Sequence, residues 1–253
     1  GTYGNVILAN GTPNAEFTAT TRLVRLRLLH GSNARTYDFT LGDGRSFLQV
    51  GTDGGLLDAP YETDPVTLTP GERADIVVSL DGMAAGASVD LLGSGARVLR
   101  LAAAGTLLDN GQVAEVLNRL PATPDPGGTD RRFDLSGMGM MFMINGQAYD
   151  PHRVDERGVT GRDEVWEIRN LRDMMGGMVH NFHLHGTQFR VLTRNVAAPA
   201  PGERGWKDTV ALMPGEAVRI LVRFEDEGLF MYHCHILEHE DLGMMGQIEV
   251  TAP

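Results

Sequence analysis

Apolar positions in the first 115 residues come in short runs. Several alternate with polar positions, and each run stops at a turn signal. Val6-Ile7-Leu8-Ala9 ends at Asn10-Gly11. The run from Leu23 to Leu29 alternates, turns Arg25 and Arg27 outward, and ends at His30-Gly31. Tyr37 to Leu41 alternates into Gly42-Asp43-Gly44, and Phe47 to Val50 ends at Gly51, before a turn at Asp53-Gly54-Gly55. Val66-Thr67-Leu68 passes through Pro70-Gly71 into the run Ala74 to Val78. Alternation places every second side chain on one face, and closely spaced strands of this kind build a sandwich or barrel. Segments of helical period are few; Gly111 to Leu120 is one short candidate.

The scheme then repeats. Pro121, Pro124, Pro126, Gly127 and Gly128 mark residues 116–130 as a linker. Beyond it, Phe142-Met143-Ile144 runs into Asn145-Gly146, much as the first run meets Asn10-Gly11, and Val165 to Arg169 alternates. Leu212-Met213-Pro214-Gly215-Glu216 matches Leu68-Thr69-Pro70-Gly71-Glu72, 144 positions earlier. Phe182-His183-Leu184 matches Phe39-Thr40-Leu41 at an offset of 143. The expectation is an all-β fold of two duplicated β-sandwiches, a first domain over 1–115 and a second over 131–253.

A length of 253 residues suits two domains, and 42% hydrophobic residues suffice for two cores. No run approaches the roughly 18 apolar residues of a membrane helix, and no signal peptide opens the sequence. The formal charge of −11 argues against nucleic acid or an anionic membrane as a partner.

The chemistry concentrates in two windows. His180-Asn181-Phe182-His183-Leu184-His185 and the segment His233-Cys234-His235 through His239 hold six of the eight histidines and the one cysteine. A lone cysteine cannot form an internal disulfide, so its chemistry is that of a thiol or a metal ligand. One thiolate, two imidazoles and a weak axial thioether make the trigonal site that suits copper electron transfer. Cys234, His239 and Met244 supply three of these, and His180 is the candidate for the second imidazole. In an extended chain His233 and His235 share one face and Cys234 takes the other; His183 and His185 share a face that His180, three residues away, does not. Two metal sites on opposite faces follow. One is built from His180, Cys234, His239 and Met244, the other from His183, His185, His233 and His235, and the peptide 233–235 joins them.

The motifs HxxHxH and, downstream, HCHxxxHxxxxM resemble those of the multicopper oxidases, the family of laccases, bilirubin oxidases and periplasmic cuprous oxidases. The resemblance implies cupredoxin-like Greek-key sandwiches. It implies copper as cofactor, with His180, Cys234, His239 and Met244 as type 1 ligands, His183 as a type 2 ligand, and His185, His233 and His235 as type 3 ligands. Electrons would enter at type 1 copper and cross the Cys-His link to a three-copper cluster that reduces O2 to water. Glu240, next to a ligand, resembles a proton relay. The implied donors are phenols, pyrroles or Cu(I), and the implied location is periplasmic or secreted. Asn33-Ala34-Arg35 and Thr52-Asp53-Gly54-Gly55 make the first half similar to the family's middle domain, a spacer without copper.

The sequence also departs from the family. A complete cluster there uses eight histidines, four of them from two HxH motifs in a first domain, and none stands outside the windows here. An absent first domain carrying HxH motifs is therefore expected as a partner. The alternative function is a non-enzymatic blue-copper electron carrier or copper-binding module. Met138, Met140, Met141 and Met143 are expected to fill core. Met174, Met175 and Met178 precede His180, and Met178 is a candidate for the electron-accepting surface. Asp208 is expected to be ordinary structure, with support of a metal-ligating side chain as the alternative; Glu238 and Asp241 are expected at the surface, and His30 and His152 in turns.

Overall fold

The computed structural model describes residues 1–139, 141–172 and 176–253, the side chain of Met138 excepted. Two β-sandwiches account for nearly all of the regular structure. The first pairs a five-stranded sheet, in spatial order Glu16–Thr21, Ala96–Leu108, Ser88–Gly93, Tyr37–Leu41 and Val66–Leu68, with a four-stranded one, Leu23–Leu29, Arg73–Ser79, Phe47–Thr52 and Gly55–Thr63. The second stacks the sheet Met141–Ile144, Arg131–Met138, Asp163–Asn170, Ala217–Arg223 and Phe189–Arg194 on the sheet Glu156–Val159, Met245–Thr251, Gly228–His233, His180–Leu184 and Thr209–Leu212. Each of these sheets sets strands distant in sequence beside one another.

Alternation explains the burial. In Tyr37–Leu41, Tyr37, Phe39 and Leu41 point inward and Asp38 outward. In Leu23–Leu29 the two arginines lie on the exposed face. The second core is built on aromatic rings: Phe133 lies 5.0 Å from Trp166 and 4.9 Å from Tyr232, all three buried. Such ring pairs contribute about 1 kcal/mol each beyond their buried area. Asn145 and Gly146 take positive φ, 53° and 74°, so this turn is the tight reversal that its residue types favour.

Some expectations fail. Gly111 to Leu120 forms no helix. The amide of Leu117 donates to the carbonyl of Asp58, and Val113, Leu117 and Leu120 are half-buried in an irregular path. A helix this short is marginal without a packed apolar stripe, and backbone contacts to Asp58 supply another partner. Met141 is 57% exposed, because its strand turns Phe142 and Ile144 inward. Met178 packs, partly buried, on the second core. Met140, Met174, Met175 and the Met138 side chain lie outside what is described.

The two sandwiches meet through polar contacts. Thr52 Oγ1 donates to Trp206 O at 2.8 Å, and Gln49 Nε2 donates to Gly202 O at 3.1 Å. The Lys207 ammonium is buried between Asp53, at 3.1 Å, and Glu72, at 3.3 Å. Burial opposes its charge, but the two carboxylates outweigh that and raise its pKa above the ordinary lysine value.

Candidate metal centre

The strand His180–Leu184 pairs antiparallel with Gly228–His233, setting His183 opposite His233. Cys234 and His235 continue just past that strand end, and a five-residue helix, Leu237–Asp241, carries His239 back. Met244 follows, its amide donating to His239 O, while Cys234 N donates to Met244 O at 3.0 Å.

These elements form two groups of donor atoms. In the first, Cys234 Sγ lies 3.6 Å from His239 Nδ1 and 3.9 Å from His180 Nδ1, and the two Nδ1 atoms are 3.0 Å apart. All three residues are buried, and Met244 lies fully buried in the same core. Burial pushes the Cys234 thiol up to about 12, partly offset by the backbone donors Asn181 and Ile236. Burial also pushes His239 down to about 4. A neutral imidazole is the ligand form; the thiol needs a cation beside it to ionise.

The second group brings together His183, His185 and His233, with the His235 ring beside them. His185 Nε2 and His233 Nε2 are 3.0 Å apart. The His183 ring centroid is 4.9 Å from that of His185, 5.2 Å from His233 and 5.3 Å from His235. His183 Nδ1 donates to Asp208 O at 3.0 Å, and His233 Nδ1 donates to Cys234 O at 3.1 Å. Both rings therefore keep Nε2 as the free lone pair, whereas the first group presents Nδ1. Burial pushes His233 down to about 3 and lowers His185, which also faces His183 and His235.

The two groups fit copper. A thiolate with two imidazoles at trigonal spacing matches a blue-copper donor set, and an all-imidazole group is equally suited to copper. Zinc in a structural role would close a tetrahedron of strong ligands; here the remaining sulfur is a thioether, a weak donor.

Glu240 sits beside the second group, its Oε2 3.3 Å from His233 Nδ1. Burial raises its pKa above the ordinary carboxylate value. Glu238 accepts the Thr2 amide, and Asp241 is exposed. His152 lies exposed in a turn; His30 is at a strand end but buried, against Tyr37.

The sequence offers Asp208 as a support only as the second choice, and shows no sign of Arg73 or Asn181. Asp208 is more than ordinary structure: it takes both ends of the Arg73 guanidinium at 2.6 Å and lies 3.5 Å from His183 Nδ1. Burial would raise its pKa, but hydrogen bonds from His183, Arg73 and Thr209 outweigh it and hold the carboxyl well below the usual range. Asn181 donates to Thr69 Oγ1 and Pro70 O and accepts the His235 amide at 2.5 Å. The first sandwich, expected to be a spacer, touches the site directly. The repeated Thr-Pro-Gly-Glu and Met-Pro-Gly-Glu turns were visible, but nothing local showed that the first would meet the site.

A two-sandwich β fold with a thiol–imidazole group joined through one tripeptide to an imidazole cluster defines a class. Residues 120–253, more than half of the chain, match the family model described as multicopper oxidase, and the chain belongs to that family, whose cofactor is copper. It is 40% identical over 251 residues to a multicopper oxidase mco of Staphylococcus haemolyticus, covering 99% of this chain and 53% of that protein. It is 31% identical to a laccase of Bacillus subtilis over 99% of this chain and 55% of that one. The crystal structure of a laccase from Pediococcus acidilactici superposes with a TM-score of 0.93 at 40% identity, over 99% of this chain and 54% of that chain. The chain thus spans about half the length of these relatives.

Proposed function

We propose that this chain carries the electron-accepting site, and part of the oxygen-reducing site, of a copper-dependent oxidoreductase of the laccase or cuprous-oxidase type. His180, Cys234, His239 and Met244 are the type 1 ligands in this reading. His183 is a type 2 ligand, and His185, His233 and His235 are type 3 ligands. Bound copper supplies a one-electron couple at the first group and the centre for reducing O2 to water at the second.

The chain's own residues do the rest. The peptide 233–235 offers an electron a covalent path from the Cys234 sulfur to two imidazoles of the second group. Buried His180 and His239 keep water from the first group. Glu240, beside His233, is placed to hold a proton near the second, where making water consumes protons. Phenols, pyrroles and Cu(I) are the donor classes, and two HxH motifs on a further domain complete the second group. The family resemblance supports a periplasmic or secreted location; no helix among the described residues is long and apolar enough to cross a membrane.

The observation that carries this reading is the division of one tripeptide. Cys234 faces His180 and His239, while His233 and His235 face His183. Oxygen uptake with a phenolic donor tests it, with and without an added domain bearing two HxH motifs. Uptake only with the domain is expected. Four-electron turnover by the chain alone contradicts the shared cluster, and no uptake in either arm leaves only an electron carrier.

A further inference from the structure

One turn of the first sandwich reaches the metal centre with almost every residue. Thr69 and Pro70 accept the Asn181 side-chain amide, whose oxygen takes the His235 backbone N–H. Gly71, at φ +84°, lies under the His235 ring: a Cβ there would come within 2.6 Å of it. Glu72 Oε1 holds Lys207, and its Oε2 takes the Thr69 amide and hydroxyl, which closes the turn. Arg73 uses both terminal nitrogens, binding Gly71 O and Asp53 O as well as both oxygens of Asp208. Asp208 in turn meets His183 through its carbonyl, at 3.0 Å, and its carboxylate, at 3.5 Å.

We propose that the turn 69–73 is a positioning wall for the four-imidazole group, and that Arg73 is a positioning residue for His183, acting through Asp208. The proposal rests on the reading of that group as a copper site. Its physical basis is the fixing of a ligand ring. A bidentate guanidinium pins the Asp208 carboxylate in one plane, which a lysine ammonium cannot do. The pinned residue then holds the His183 Nδ1–H together with Thr209 Oγ1, which lies 2.9 Å from Nδ1 and itself donates to the Asp208 carboxylate, so Nε2 points in one direction. The sandwich without ligands thus sets the orientation of a ligand on the other.

The test uses the full chain with Arg73→Gln and Arg73→Lys. Arg100→Gln serves as a control, since Arg100 makes a comparable bidentate pair with Asp90 in the same sandwich. Cu(II) is titrated in, with the blue absorption and the non-blue paramagnetic signal followed separately. Loss of an outer partner costs metal affinity about tenfold or more. Arg73→Gln is expected to weaken non-blue binding by about that factor, Arg73→Lys by less, and Arg100→Gln not at all, with the blue absorption unchanged in all three. In the copper-free protein, the His183 Nδ1–H resonance is expected to move in both Arg73 variants and to stay put in the control. Wild-type affinity with an unmoved resonance in Arg73→Lys overturns the proposal, even if Arg73→Gln fails to fold. Absence of any non-blue signal in the wild type, even with an HxH-bearing domain added, overturns the copper reading and the proposal with it.

Discussion

The phenyl ring of Phe142 is stacked on the imidazole of His239, centroids 4.2 Å apart and planes 18° from parallel. The same ring stands edge-on to His180 at 6.3 Å. Phe142 is buried, and Gly137 on the neighbouring strand leaves room for it; a Cβ there would meet the ring at 2.5 Å. One aromatic side chain therefore covers both imidazoles of the thiolate group on one side.

Phe142→Ala uncovers that side. Stopped-flow bleaching of the copper-loaded chain by a bulky phenolic donor is expected to quicken several-fold, and less so with a small reductant. The cavity also costs about 3 kcal/mol of stability, seen as a lower urea midpoint. An unchanged ratio between the two donors would mean that donors approach from another side.

Glu240→Gln keeps the size of the side chain and removes its exchangeable carboxyl proton. In the enzyme completed with an HxH-bearing domain, oxygen turnover is expected to fall by about a hundredfold. The blue absorption of the chain is expected to stay as it is. Turnover within twofold of wild type would assign the proton path to another group.

Away from the metal centre, Glu164 is bound by Arg131 at 2.6 and 3.0 Å and by Trp166 Nε1 at 2.8 Å. Burial raises its pKa, but these donors outweigh burial and hold the carboxyl below its ordinary 4.5. A carboxyl depressed in the folded state binds fewer protons there than in the unfolded chain. Its stabilisation is full above the ordinary value and disappears as pH falls through the folded one. Glu164→Gln should cost about 2 kcal/mol at neutral pH in the copper-free chain, and the gap to wild type should narrow below pH 4.5. Urea titrations at several pH values check this; a gap that widens in acid contradicts it.

Much of this molecule is legible in its sequence because strands have a short period. Leu23–Leu29, Tyr37–Leu41 and Val66–Leu68 begin and end where alternation and turn residues place them. The gathering of the donor side chains is legible because a lone cysteine between two histidines has few other uses. The helix Leu237–Asp241 is not: it has five residues and no side-chain cap, so it leaves no periodic trace. The contacts of Arg73 with Asp208 and of Asn181 with Thr69 join positions more than a hundred residues apart. Only the packed fold brings them together.

The most direct measurement is a Cu(II) titration of the purified chain and of Cys234→Ser. An intense blue absorption is expected in the first and none in the second, which should keep the non-blue signal of its imidazole group. A colourless chain with Cys234 intact, or a blue Cys234→Ser, would contradict the assignment of Cys234 between His180 and His239.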